Sequence, residues 1–263
     1  MNKSLSFDRA AGFYDRTRSL PDAVAVQGIP GILSLVGPRG LILDVGTGTG
    51  RISAPLIAHD ANVIGCDLSH KMMAVLREKM PDARLAEADA SLLPFPANRF
   101  EAVITCHVMH LVGPWREALR EYRRVLKAGG VYINARTEEI GAESPGAQLS
   151  KFWESRVASY GASSKRSGIQ SEKELHAELL EMGAEVRQVQ AARFSHQDSV
   201  HEVVERIANR IDSPTWLVPD GIFSRTVQDL REWAQHHFGD LNTTFDEEAA
   251  FVLDVTRFPA APA

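Results

Sequence analysis

Cysteine is nearly absent from this 263-residue sequence: only Cys66 and Cys106 occur, both inside apolar runs, "NVIGC" and "AVITC". Two such thiols exclude a disulfide framework and a cysteine-rich metal site, and they read as reduced core residues. Long hydrophobic runs are missing as well. No segment reaches the roughly 18–20 apolar residues of a membrane span, and "MNKSLSFDRAAGFYDRTRSLP" lacks the apolar stretch of a signal peptide. A basic excess is also lacking. The 29 Lys and Arg against 34 Asp and Glu leave a formal charge of −5, which argues against a partner recognised through nucleic-acid phosphates. The one basic cluster, Arg116 to Lys127 in "REALREYRRVLKAGG", alternates with apolar residues at helical spacing and reads as a solvated helix face. These absences leave a cytoplasmic globular protein with 44% hydrophobic residues, enough for a core without staples.

What is present is an alternation. "LILDV", "NVIGC", "ARLAEA", "FEAVITC" and "GGVYINAR" read as strands. Between them lie helical patterns: Thr49 to His59, "SHKMMAVLREKM" with Ser69 as N-cap, and "PWREALREYRRVL" with Pro114 at its first turn. Pro55 inside the first of these helices conflicts with helix geometry. The spacing predicts right-handed crossovers and a doubly wound, mostly parallel α/β sheet. Later, "AEVRQVQAARF" and "EEAAFVLDVTRF" add a sixth and a seventh strand. More than fifty residues with helical patterns separate those two, too many for a simple connection, so an inserted helical cap is expected. The expected division is a helical amino-terminal segment (1–40), a core (41–136, 171–195 and 246–258) and helical lid insertions (137–170 and 196–245). The lid aromatics Phe152, Trp153, Tyr160, Phe223 and Trp233 fall at spacings that suit a helical core, and some are candidates to line a substrate pocket.

The most informative stretch is "LILDVGTGTGRIS", residues 41–53. In an open parallel sheet, ligands bind beyond the carboxyl ends of the strands. A dinucleotide site there wants G-x-G-x-x-G, with a helix amino terminus facing pyrophosphate. Gly46 and Gly48 suit that pattern, but Arg51 holds the place of the third glycine and Gly50 comes one residue early. Asp44 would repel a pyrophosphate and would suit an ammonium group. Asp67, at the tip of the second strand, suits both hydroxyls of a ribose, and Asp89, after the third, suits an exocyclic adenine amine. Three successive strand tips thus describe an adenosine joined to an amino acid, without phosphates.

With these residues in view, the sequence resembles the class I S-adenosylmethionine-dependent methyltransferases, in the branch that holds quinone-biosynthesis and other small-molecule enzymes (methyltransferase type 11). The resemblance rests on "LDVGTGTG", "VIGCDLSHKMM", "ADASLLPFPANRFEAVITCHVMHLV", "LREYRRVLKAGGVYI" and the amino-terminal "FDRAAGFYDRTR", which together span about residues 7–136. It implies a Rossmann-like methyltransferase fold that binds S-adenosylmethionine and releases S-adenosylhomocysteine. It also implies that Asp44, Gly46, Gly48 and Gly50 line the methionine end and that Asp67 holds the ribose. Leu68 and Met72 would flank the adenine, Asp89 and Ala90 would read its edge, and Cys106 and His107 would sit beside the sulfonium. Tyr14 and Arg18 would close over the amino-acid end.

Methyl transfer from a sulfonium needs alignment and exclusion of water, with a base only where the acceptor must lose a proton. His107 is the one candidate base, and "HVMH" (His107, His110) has no third residue at metal-ligand spacing, so no metal is expected. The expected activity is methylation of a small, partly apolar molecule under a helical cap, with no nucleic-acid partner and no membrane span. A tRNA methyltransferase, a catalytically silent S-adenosylmethionine-binding protein and a nicotinamide oxidoreductase are the alternatives.

Overall fold

The computed structural model describes residues 3–37, 39–141 and 144–259. Its amino-terminal stretch carries a helical turn, α1 (Tyr14–Thr17), then a π-helical turn (Val24–Gly28) that runs directly into α2 (Ile29–Val36). The π turn closes with the Ile29 N–H donating to the Val24 carbonyl five residues back, just before Pro30, which has no N–H to offer. The alternating region follows: β1 (Leu41–Val45), α3 (Ser53–Ala58), β2 (Asn62–Asp67), α4 (His70–Lys79), β3 (Arg84–Glu87), β4 (Phe100–Cys106), α5 (Trp115–Val125) and β5 (Leu126–Ile140). The remainder is α6 (Pro145–Ser159), α7 (Glu172–Glu181), β6 (Glu185–Ser199), α8 (Val200–Ala208), α9 (Ser213–Trp216), α10 (Asp220–Phe238) and β7 (Thr244–Arg257).

Seven strands form one sheet in the order β3-β2-β1-β4-β5-β7-β6. β1 pairs in parallel with both β2 and β4, β2 with β3, and β4 with β5. From β1 the chain first winds outward through β2 and β3, then returns to the other side for β4 and β5. The order therefore reverses at the β1/β4 boundary, and the carboxyl ends of those two strands flank the crevice where such sheets take ligands. The expected α/β class and the count of seven strands both hold.

Local chemistry explains the elements. All five residues of β1 are buried, as a strand covered on both faces requires. Along α5, Trp115, Ala118, Leu119, Tyr122 and Val125 recur at helical spacing and are all buried. They join Leu43, Val103, Tyr132, Leu175 and Leu179 in one apolar cluster. Three of the four α5 arginines are engaged by carboxylates, Arg116 with Glu178 at 2.6 Å, Arg120 with Glu117 at 3.3 Å and Arg124 with Glu121 at 2.6 Å, while Arg123 lies over the Phe258 ring.

Two expectations about elements are corrected. α3 begins at Ser53 rather than Thr49, because Gly50 sits at φ +87° and breaks helical geometry upstream. Pro55 is consequently the third helical residue, where its missing N–H has no intrahelical role, and the expected conflict disappears. β5, β6 and β7 run 15, 15 and 14 residues, longer than their apolar runs suggested, because polar segments such as "FSHQDS" extend them without an apolar alternation to mark them.

The chain divides into two compact units: Met1–Thr137 with Ser167–Arg193 and Phe251–Ala263, and Glu138–Arg166 with Phe194–Ala250. The first holds the glycine loop and all the expected cofactor residues. The second contains α6, α8, α9 and α10 and has its own apolar core of Leu149, Trp153, Val157, Val203, Phe223 and Leu230. Phe152 stacks on Trp233 at 4.5 Å and Trp233 on His237 at 4.7 Å, so these aromatics pack among themselves within that unit. α8 opens with a capping box in which Ser199 and Glu202 satisfy each other's backbone N–H.

Candidate functional site

The glycine loop leaves β1 and is tied at once to β2: the N–H groups of Gly46 and Thr47 both donate to the Cys66 carbonyl, at 2.8 and 3.0 Å. Gly46 has φ +73°, and a Cβ there would stand 2.3 Å from Cγ2 of Val108. At Gly50, φ +87°, a Cβ would stand 2.3 Å from Cδ1 of Leu76. Both are required by the protein's own packing. Gly48 differs, since its bare side faces Met72 and Asp67, with Met72 Cε 3.3 Å from the place a Cβ would take.

Asp44 is 2% exposed. Ser53 donates to its Oδ2 at 2.5 Å, and the Ser53 and Thr47 hydroxyls are 2.7 Å apart. Burial pushes the Asp44 carboxyl up to about 6, against the opposing pull of the Ser53 and Thr47 hydrogen bonds. The residue expected to read an ammonium group is thus also the internal brace of the loop.

Asp67 is the best organised acid of the site. Gly48 N–H donates to its Oδ2 at 2.8 Å and Ser69 N–H to its Oδ1 at 2.7 Å. Burial raises its pKa while these backbone donors hold it down. Two fixed donors orient the carboxylate and leave its remaining lone pairs for ligand hydroxyls. Ser69 caps α4, accepting from Met72 N–H at 3.2 Å. Met72 is buried at 3% exposure and Leu68 is exposed at 38%, so only Leu68 presents an open apolar surface next to Asp67.

Asp89 accepts from the N–H and the hydroxyl of Ser91, at 2.8 and 2.7 Å, both through Oδ1. It therefore caps the turn after β3, with half-buried Ala90 beside it. Neither Ser91 bond uses Oδ2.

Tyr14 and Arg18 come from the amino-terminal segment. Tyr14 is half-buried; burial raises its phenol, and its side chain hydrogen-bonds Arg51. Arg18 Nη1 donates to the Thr17 carbonyl at 3.3 Å. Arg51 was read from sequence only as a missing glycine. Here its Nε is buried and has no hydrogen-bond partner among the described residues. A guanidinium N–H withheld from water and left open beside a phenol is a donor waiting for an acceptor.

Cys106, at the end of β4, is a half-buried residue whose thiol is pushed up to about 12 by desolvation, so it is protonated at neutral pH. His107 follows at φ +56°. Its N–H donates to the Ala135 carbonyl at 3.2 Å, and its Nε2 accepts from Thr137 N–H at 3.2 Å. A backbone donor at Nε2 puts the ring proton of the neutral imidazole on Nδ1 and engages its one lone pair. In this arrangement His107 orients its loop rather than standing ready as a base. The loop is further fixed by Ile169 N–H to the Met109 carbonyl at 3.2 Å and Leu5 N–H to the Leu111 carbonyl at 3.0 Å.

Sequence reasoning also missed two tethers. Asp8 accepts from the Ser69 hydroxyl at 2.6 Å, and Asp15 accepts from the Thr49 hydroxyl at 2.6 Å and pairs with Lys79 at 2.9 Å. The amino-terminal segment is therefore fastened to α4 and to the glycine loop. Both contacts are long range, and only the "FDRAAGFYDRTR" resemblance hinted at them.

The residues present suit an adenosyl amino acid. The two-donor carboxylate of Asp67 and the buried, acceptor-less Nε of Arg51 belong to the same unit. They offer a hydroxyl acceptor and an anion donor.

Residues 43–134 match the family described as "Methyltransferase domain". Among curated proteins, an uncharacterized methyltransferase of Mycobacterium bovis is 34% identical over 142 residues, covering 52% of this chain and 56% of that protein. A demethylmenaquinone methyltransferase of Clavibacter sepedonicus is 38% identical over 136 residues, covering 48% and 54%. The chain thus spans about half the length of the curated relatives it matches. A solved structure from Bacillus halodurans C-125 superposes with a TM-score of 0.59 at 17% identity, covering 89% of this chain and 98% of that one.

Proposed function

We propose, from the premise that this chain belongs through residues 43–134 to the class I methyltransferases, that it transfers a methyl group from S-adenosylmethionine to a small, partly apolar acceptor. The observation that carries this reading is the Asp67 carboxylate, held by Gly48 and Ser69 backbone donors at the tip of β2. A carboxylate so placed suits a ribose diol. The demethylmenaquinone methyltransferase relative supports an apolar acceptor class. The carboxylates that engage three of the four α5 arginines speak against an open basic track for tRNA.

S-adenosylmethionine, when bound, supplies a methyl group already activated on a sulfonium. Asp67 would hold the ribose hydroxyls, Leu68 a face of the adenine, and Asp89 with Ala90 its edge, while Met72 packs against Gly48 behind them. Gly46, Gly48 and Gly50 shape the wall around the amino-acid end, and Asp44 takes its ammonium. Arg51, with Tyr14 and Arg18, takes its carboxylate. Cys106, protonated at neutral pH, is a poor nucleophile and does not compete for the methyl group. His107 keeps the loop after β4 in place through Thr137 and Ala135. The tethers at Asp8 and Asp15 keep water from the site by holding the amino-terminal segment down. Acceptor choice is assigned to segments 137–170 and 196–245, which lie outside the matched residues and act as the cap.

Calorimetric titration with S-adenosylhomocysteine, with NADH as control, tests the cofactor. One-to-one micromolar binding of the first and none of the second is expected. Transfer of labelled methyl from S-adenosylmethionine to a panel of quinols, phenols and amines tests the activity. Binding without transfer to any acceptor would leave a silent binding protein. Slower amide exchange in 137–170 and 196–245 on ligand binding is expected of a cap, and unchanged exchange there removes it.

A further inference from the structure

We propose that His196, Asp198 and Glu247 form a binding site for one divalent transition-metal ion. All three belong to the second compact unit, and none of them is among the residues assigned to the cofactor. His196 and Asp198 alternate along β6 and so share a face of the sheet, and Glu247 lies on the neighbouring strand β7. Their ligand atoms all lie within 4.8 Å of one another. His196 Nε2 is 3.3 Å from Glu247 Oε2 and 3.8 Å from Asp198 Oδ2. A tetrahedral ion about 2.1 Å from each donor needs its donors about 3.4 Å apart, so the side chains stand near that spacing.

Glu247 points to a ligand independently. It is 6% exposed; its Oε2 faces His196, and the other oxygen of the same carboxylate, Oε1, is buried beside Gly146 with no hydrogen-bond partner among the described residues. A buried carboxylate oxygen without a donor calls for an unseen partner. Asp198, by contrast, is gripped by Arg206 through both oxygens, at 2.7 and 2.9 Å, the arrangement by which outer partners commonly orient a ligating carboxylate. Two carboxylates thus share this face with one guanidinium and one imidazole.

A second group of similar composition shows the contrast. Around Asp254, Arg136, Gln188 Nε2 (3.3 Å) and His176 Nε2 (2.9 Å) all approach the carboxylate, and Glu172 accepts from Asn134 Nδ2 at 3.1 Å. Each carboxylate there accepts from a guanidinium or amide donor, and the atom left without a hydrogen bond is the His176 Nε2 rather than a carboxylate oxygen. At Glu247 the set of donors is incomplete. One imidazole with two carboxylates suits zinc-like ions of the first transition row.

The full-length protein, stripped with a chelator, is titrated with Zn²⁺ by calorimetry and with Co²⁺ by visible absorption. One ion per chain is expected, with a Co²⁺ d–d band and a Zn²⁺-dependent rise in melting temperature. His196→Ala and Glu247→Gln should each weaken binding at least tenfold and abolish the band. Glu247→Gln preserves the shape of the side chain, and circular dichroism confirms its fold. Absence of a Co²⁺ band in the parent protein overturns the proposal. So does uptake that is the same in the parent and both variants, which would mark adventitious binding to surface histidines.

Discussion

Gly48 donates its backbone N–H to Oδ2 of Asp67 at 2.8 Å, so the loop after β1 and the acid ending β2 are positioned by each other. Because Ser69 N–H occupies the other oxygen, both oxygens must be acceptors. Asp67→Ala should lower affinity for S-adenosylhomocysteine 10- to 100-fold, about 1.5–3 kcal/mol for charge-assisted hydrogen bonds. Asp67→Asn should be nearly as damaging, since its NH₂ must confront one of the two N–H donors. Calorimetry on both variants checks this, and an Asn variant of parental affinity would remove the ribose assignment.

Arg51 supplies the second prediction. Arg51→Met should weaken S-adenosylhomocysteine at least tenfold while leaving 5′-methylthioadenosine, which lacks the amino-acid group, unaffected. Equal loss for both ligands would show that the guanidinium acts on the loop rather than on a carboxylate. Competition binding with the two nucleosides separates these outcomes.

The buried acid of the loop gives a pH dependence. The folded-state value of about 6 for Asp44 lies above its ordinary 3.8. The folded state therefore holds more protons than the unfolded one between those values, and stability falls as pH rises from about 4 to about 6. The loss is on the order of 2–3 kcal/mol at 1.36 kcal/mol per unit. Asp44→Asn should flatten this slope in urea titrations of the ligand-free protein. In the parent protein, a ligand ammonium would draw the proton off, so S-adenosylhomocysteine affinity should rise over the same interval.

Gly50 provides a stability test. Gly50→Ala combines left-handed backbone with a collision at Leu76 and should cost about 2–4 kcal/mol. Gly161, at φ +76° with open space where a methyl group would stand, should cost only about 1–2 kcal/mol on the same change. Urea unfolding of the two variants measures the difference.

The doubly wound order and the acids at the strand tips were legible because both follow from short-range patterns. A five-residue strand pattern with Asp at its fourth position, followed by glycines at alternate positions, fixes a strand and a loop with little help from elsewhere. Arg51 was not legible as a donor, since its meaning depends on Tyr14, far earlier in the chain. Asp8 and Asp15 stayed hidden for the same reason: a carboxylate on a polar amino-terminal segment gives no sign of the hydroxyl it will meet. The engagement of His107 by Thr137 depends on β4–β5 register, which a single sequence does not disclose. The ligands proposed for a metal are scattered over two strands and some fifty residues, so no spacing rule gathers them.

The contact between Val108 and the bare side of Gly46 has a consequence for redesign. Two loops from neighbouring strands occupy one shared volume, and neither has slack. Enlarging Val108 to Leu or Phe in order to reshape the acceptor side would push directly on the backbone around Gly46. Altered substrate preference should therefore be sought at positions that do not touch that loop, or with a smaller residue at 108. Whatever bulk one loop gains, the other has to give up.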